Sequence, residues 1–298
     1  MKHLLLTLAT LTTFAASPLA NAALDTAKID EITGLKGVLN EAEGVFKVSQ
    51  PRGDVKVSVD GWQMPPFMGL TSWAAFTTGK EKAAMVMGDL VLFQDEVNPV
   101  MSAAFANGLS VTALHNHFFY DEPKVYFMHI GGEGTEEQLA KGVRAALDKV
   151  KEIRAAKPEL AKSFGKAFSP EKSAINGELI DAMLGSKGQT KDGMFKVVIG
   201  RKAKMPCGCE VGKEMGVNTW AAFAGTDENA LVDGDFVVLE SELQPVLKSL
   251  RKDGINIVAI HHHMTGETPR YLFLHYWGRG TVSELAQAVK NALDQTKK

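Results

Sequence analysis

Seven of the eight histidines of this chain fall into one short motif that occurs twice. The first copy is Ala113-Leu114-His115-Asn116-His117 followed by His129. The second is Ala259-Ile260-His261-His262-His263 followed by His275, 146 residues further on. Along a strand, residues two apart project to the same face, so His115 and His117 are predicted neighbours, as are His261 and His263. A hairpin turning about Glu122 sets His129 opposite His115, with Cβ atoms roughly 5 Å apart. Three imidazoles then converge on one patch in each copy. Three neutral imidazole nitrogens with a fourth position left open suit a divalent transition metal, Zn²⁺ first, with Cu or Fe as alternatives. The same trio also suits a buried hydrogen-bonded network, or proton-transfer groups around an organic ligand. No Ser or Cys stands at a recognisable nucleophile position and Gly-x-Ser-x-Gly is absent, which puts metal chemistry ahead. Asn116 and His262 are predicted to face away.

Other residues could support such a centre. Asp89 and Asp235 each follow a glycine at matching positions. They read as carboxylates that orient a metal-bound histidine from behind, or as plain turn residues. Glu122 and Glu267 fall in the two hairpin loops, where they either reach an open coordination position or stay solvated. Cys207-Gly208-Cys209, flanked by Met205 and Met215, exists only in the second copy. Thiolates with nearby thioethers suit Cu(I) or Zn, residues two apart can also join as a strained disulfide, and small polarisable side chains can simply pack. Trp73 and Trp220 read as core aromatics.

The elements that must position these residues repeat as well. At the same offset Gly88-Asp89 falls on Gly234-Asp235, Pro99 on Pro245, Gly108 on Gly254, Pro123 on Pro269 and Phe127 on Phe273. With small gaps, Trp73-Ala-Ala-Phe76 falls on Trp220-Ala-Ala-Phe223 and Phe46-Lys-Val48 on Phe195-Lys-Val197. Two long units make a tandem duplication rather than a solenoid. Each unit reads as a short helix, strands near 45–48, 54–59, 72–76 and 84–93, a helix over about 96–107, and strands over 110–119 and 124–130. Asp95, and Ser241 with Gln244, read as caps of the middle helices, which Gly108 and Gly254 stop. A closing helix starts at a capping box, Thr135/Gln138 or Thr281/Glu284, and carries the stripe Leu139, Val143, Leu147, Val150. The fold class is therefore α+β: two homologous units, each a mostly antiparallel sheet with helices packed on one face. The expected divisions are residues 1–22, 23–165 and 166–298, with the Lys- and Ala-rich stretch from Lys151 to Pro170 as the link.

Trp73-Ala-Ala-Phe, Gly88-Asp89-Leu-Val-Leu, Val111-Thr-Ala-Leu-His-Asn-His and Pro123-Lys-Val-Tyr-Phe-Met-His129 resemble the LppY/LpqO-type family of exported bacterial proteins. The resemblance spans nearly the whole chain after the leader. It implies a paired-domain exported protein and brings no activity. This chain departs from the lipoproteins of that family in having no Cys for lipidation.

The amino terminus fits export. Lys2 and His3 precede an apolar run from Leu4 to Ala16, and Ala20-Asn21-Ala22 offers a small-x-small cleavage site. That run is shorter than the roughly 20 residues a bilayer span needs. A periplasmic or secreted protein with no membrane span after cleavage is expected. Of 298 residues, 45% are hydrophobic and 23% charged, a globular balance, and Lys+Arg 33 against Asp+Glu 35 shows no footprint for nucleic acid. Two cysteines exclude a disulfide framework. The expected partner is a metal ion or small molecule. Three functions follow: an exported metal-binding protein with duplicated three-His sites, a metal-dependent hydrolase or oxygenase, or a ligand-binding or structural protein with a buried histidine network.

Overall fold

The computed structural model describes residues 24–78, 84–164 and 172–296. The leader over 1–22 and the expected boundary at 165/166 lie outside the described residues.

The first unit runs α1 (Thr26–Thr33), β1 (Val38–Asn40), β2 (Val45–Pro51), β3 (Thr71–Thr78), β4 (Ala84–Phe93), α2 (Val97–Ala106), β5 (Ser110–His115), β6 (Val125–Gly134) and α3 (Glu136–Ala156). The second repeats it as α4 (Gly177–Leu184), β7 (Gln189–Lys191), β8 (Met194–Gly200), β9 (Asn218–Thr226), β10 (Asn229–Leu239), α5 (Glu240–Lys252), β11 (Asn256–His261), β12 (Tyr271–Gly280) and α6 (Val282–Leu293). The mixture of helices and antiparallel sheet is as expected. The twelve strands form one sheet in the order β1-β2-β3-β4-β6-β5-β11-β12-β10-β9-β8-β7, which reads the same from either edge once the units are exchanged.

Alternation explains the central strands. In β3 and β9 every second residue is buried, and Phe46, Val48, Ala74, Phe76, Val86, Leu90 and Leu92 share one cluster with residues of the helices. The apolar stripe of α3, Leu139, Val143, Leu147 and Val150, is buried there, and its capping box at Thr135 and Gln138 forms as expected. The cluster continues into the second unit through Phe223, Phe236, Leu243, Leu247 and Tyr276, so the two copies share a core.

The joint between them is narrow in backbone terms and rich in side-chain bonds. β5 and β11 pair at Leu114 and Ile260. Beside that pair, the Asn98 amide accepts from the Ile257 N–H at 2.7 Å and donates to its carbonyl at 3.1 Å. Reciprocally, Gln244 accepts from the Val111 N–H at 3.1 Å and donates to its carbonyl at 2.6 Å. Each amide copies a strand's hydrogen bonds at a bulge, where β5 and β11 shift register against β6 and β12. Leaving such buried backbone groups unpaired costs about 1–3 kcal/mol each.

Several local expectations are corrected. Asp95 does not cap α2: it pairs with Arg154 and accepts from the Ala161 N–H. Glu96 precedes the helix instead, fully buried, accepting from the Phe93 N–H and from the equally buried Arg52. Ser241 and Gln244 do not cap α5 either, since it begins at Glu240 and Glu242 accepts from the Leu239 N–H while pairing with Arg201. The strand expected over 54–59 is only Ser58–Val59, and the one expected over 110–119 ends at His115.

Candidate metal centre

The histidines are set by the register of three strands. Asp89 of β4 lies opposite His129 of β6, and Asp235 of β10 opposite His275 of β12. Across the other edge of β6, His129 faces Ala113 and His115 faces Phe127; His275 likewise faces Ala259 and His261 faces Phe273. The expected pairing of His115 with His129 is therefore wrong by one step, because the hairpin is centred on Asp121 rather than Glu122. The shift is by two residues, so the face is kept: His115 and His129 ring centroids stand 5.1 Å apart, and those of His261 and His275 4.8 Å. His117 and His263 lie just past the strands and turn back onto the same patch, stacking on Phe127 at 3.3 Å and Phe273 at 3.6 Å.

The second unit draws its groups together most closely. Nε2 of His263 is 3.1 Å from Nε2 of His261 and 3.2 Å from Oδ2 of Asp235, which is 4.0 Å from Nε2 of His261. Among the described residues, Asp235, His261 and His263 are the group whose ligand atoms all lie within 4.8 Å of one another. Protonation sharpens the picture. Nδ1 of His263 lies 3.1 Å from the Gly216 carbonyl, which only accepts, so this nitrogen carries a hydrogen. Nε2 of His263 and Oδ2 of Asp235, 3.2 Å apart, are placed to share a proton or to bind one cation together. Asp235 is 1% exposed and its Oδ1 has no hydrogen-bond partner, nor has the buried Nδ1 of His261. Burial holds the Asp235 carboxyl above the usual range against the pull of His275 and His263. Burial first, then the neighbouring histidines, push His261 down to about 4, which keeps its imidazole neutral and able to coordinate.

His275 stands at the margin of this group. Its Nδ1 donates to the Gly234 carbonyl at 3.2 Å, and Trp220 meets its ring edge-on. Asp235 thus lies among the candidate ligand atoms, where the sequence reading expected it to orient a histidine from behind a three-His set or to be a plain turn residue.

The first unit keeps the residues and loosens the contacts. His115 and His117 rings stack at 5.1 Å, and Nε2 of His129 is 4.0 Å from Oδ2 of Asp89, whose Oδ1 is buried without a partner. Burial, followed by the charge of His115, lowers the pKa of His117. A Cβ on Gly69, the counterpart of Gly216, would meet the Phe118 ring at 3.7 Å, whereas one on Gly216 would meet Nδ1 of His263 at 3.6 Å.

The remaining predicted residues have other tasks. Glu267 is buried and accepts from the Tyr271 N–H at 3.0 Å, and its structural counterpart is Asp121, which accepts from the Val125 N–H at 2.8 Å. Glu122 is exposed and its backbone pairs with Ser58. Both glutamates therefore belong to hairpin architecture, and neither joins the ligand group. Asn116 and His262 are exposed, as are His117 and His263. Cys207 and Cys209 are joined as a disulfide at the tip of a hairpin between Ala203–Lys204 and Glu210–Val211, so in this form neither offers a thiolate. Met205 packs with Met264, Tyr271 and Phe273 beneath that tip. Trp73 and Trp220 are half-buried rather than core, each carrying a lysine ammonium over its ring, Lys47 at 4.3 Å and Lys196 at 4.1 Å. No helix among the described residues is long and apolar enough to cross a membrane.

A family model described as "Domain of Unknown Function (DUF1259)" matches residues 27–149 and again 178–295. No curated protein matches the chain. Among solved structures, a trimeric bacterial microcompartment shell protein, PduB, is similar at 12% identity over 87% of this chain and 89% of that one, with a TM-score of 0.23. A double-ringed trimeric shell protein from the RMM microcompartment is similar at 11% identity over 83% and 95%, with a TM-score of 0.18. At those scores neither likeness carries an argument about this chain.

Proposed function

The chain belongs to the DUF1259 family, with two tandem copies of a domain that brings no activity with it, so we propose from the site itself that it is an exported metal-binding protein. The carrying observation is the convergence of Asp235, His261 and His263: Nε2 of His263 is 3.2 Å from Oδ2 of Asp235 and 3.1 Å from Nε2 of His261, and Oδ1 of the buried Asp235 has no hydrogen-bond partner. Asp235, His261 and His263 would hold a divalent transition metal, with His275 beside them. Zn²⁺ suits two imidazoles and a carboxylate, and Fe suits the same set where positions stay open. The first unit would hold a second, weaker ion through His115, His117 and His129, with Asp89 nearby. In this reading the helices cover one face of the sheet and leave the other to the histidines. Residues 1–22 direct export to the periplasm or beyond, the units divide near 165/166, and the chain is kin to the LppY/LpqO-type proteins.

The second reading is a metal-dependent hydrolase or oxygenase. It is favoured by the two-His, one-carboxylate set, which leaves positions for water or substrate. A bound ion would supply Lewis acidity there. Asp235, buried and unpaired at Oδ1, could hold a proton next to it.

Metal content of protein isolated from its native compartment, followed by competition with a chromophoric chelator, tests the proposal. Retention of one ion per chain at micromolar protein is expected, with a second lost at lower chelator strength. Wild-type protein that retains no transition metal at that concentration would overturn it.

A further inference from the structure

We propose that the second unit's metal centre is one end of a binding cleft for a small anion, whose carboxylate or phosphate oxygens are met by Lys196 and Lys213. This inference rests on the metal-binding reading for the identity of the neighbouring cation, and on the cleft for the rest. A cleft of about 560 Å³ opens beside the centre, its wall including Lys187, Lys196, Lys213, Trp220 and His263, with Glu214 as its one carboxylate. It therefore shares a ligand residue with the centre, and Gly216, whose carbonyl fixes the tautomer of His263, lies in its wall.

The charges are unevenly committed. Lys187 is held by Asp181 at 2.9 Å, the same arrangement as Lys36 with Asp30 in the first unit, so its ammonium is part of a repeated turn. Lys196 has no carboxylate partner among the described residues. Its ammonium rests over the Trp220 ring at 4.1 Å, a contact that orients the charge without neutralising it. Lys213 stands 3.9 Å from Glu214, whose side chain is 89% exposed and screened by water. Two ammonium groups, one of them over the Trp220 indole, thus line a cleft that shares His263 with the proposed cation site.

An anion is the ligand that such a cleft stabilises, since a neutral molecule of the same size would leave these charges solvated and unmatched. The lysines act as point charges and do not distinguish planar from tetrahedral oxyanions. The first unit repeats the Lys47–Trp73 pair, yet it has Pro66 where the second has Lys213. The anion site is therefore expected in the second unit.

Calorimetric titration of citrate and of inorganic phosphate into Zn²⁺-loaded and metal-free full-length protein tests this. Lys196→Gln and Lys213→Gln should each weaken anion binding about tenfold, the worth of one hydrogen bond to a charged group. Neither should change metal retention, and Lys47→Gln should change neither property. Binding of both anions to the loaded protein with that lysine dependence supports the proposal. Phosphate alone would assign the cleft to phosphate sources, and citrate alone to organic acids; each supports it. No anion binding, or binding indifferent to both lysines, overturns it. If the protein holds no metal but metal-free protein binds an anion through Lys196 and Lys213, the cleft stands and the metal reading falls.

Discussion

The two histidine sites are built on the same register, yet they differ in how tightly they assemble. In both units the third histidine lies opposite an aspartate and next to a bulged strand. In the second unit the carboxylate reaches His263 at 3.2 Å, whereas in the first its nearest histidine contact is 4.0 Å. The difference comes from outside the motif. Gly216 lends a carbonyl to Nδ1 of His263, while Phe118 packs towards the equivalent Gly69. A strand register can bring the right residue types to one face, but the loop behind the ring aims its nitrogen.

That comparison is broken or sharpened most by removing ligands. Asp235→Ala or His263→Ala should lower metal affinity by at least about 100-fold, the upper range seen when even an outer partner of a ligand is lost. His117→Ala should leave the tighter ion in place. Chelator competition reads both, and equal losses would mean that the two sites are equivalent. Next come the glycines that precede the aspartates. A Cβ on Gly234 would meet the Tyr276 hydroxyl at 2.2 Å and the Trp220 carbonyl at 2.4 Å, against 2.7 Å to the Trp73 carbonyl for Gly88. Gly234→Ala should destabilise by about 3 kcal/mol and Gly88→Ala by about 1 kcal/mol in urea unfolding, the range for overpacked cores.

The joint should behave symmetrically where the sites do not. Asn98→Ala and Gln244→Ala each strand one backbone N–H and one carbonyl, and both should cost about 2 kcal/mol in the same urea assay. A large effect from one and none from the other would contradict the reciprocal clamp. A smaller effect concerns pH. Because His261 titrates at about 4 in the folded chain against 6.5 when unfolded, the unfolded state takes up its proton first as pH falls. Metal-free protein should therefore lose stability between about pH 6.5 and pH 4, with no contribution from His261 above that window. His261→Gln should flatten that slope, which urea midpoints across the range would reveal. The smallest effect is expected from Cys207→Ser combined with Cys209→Ser. These residues distinguish the second unit, yet the histidine site should keep its metal affinity, and a marked loss would assign the difference between the units to this hairpin.

Much of the site was legible because its logic is local. The alternation of strand faces placed His115, His129, His261 and His275 on one side, and the glycine–aspartate pair was visible as a repeat. Two features were not legible. The turn centre at Asp121 depends on a buried carboxylate that accepts the Val125 N–H, and nothing in the spacing distinguishes it from Glu122. The bulges at Val111 and Ile257 are filled by amides from the opposite unit, so Gln244 looked like a cap partner when it was a clamp. The buried Arg52–Glu96 and Arg201–Glu242 pairs likewise drew Glu96 and Glu242 into the starts of the middle helices, where Asp95 and Ser241 were the local favourites.

By itself, the sequence determined the duplication, the main helices and central strands and the two histidine clusters, because periodicity and repetition are properties of the chain. Only the tertiary structure decided that Asp235 gathers with His261 and His263 and that Trp220 carries a lysine at a cleft rather than filling the core. It also decided that the twelve strands make one sheet. Those outcomes depend on which loop carbonyl and which partner unit approach each residue, and distances of 3 to 4 Å between residues far apart in the chain are set by packing, not by spacing.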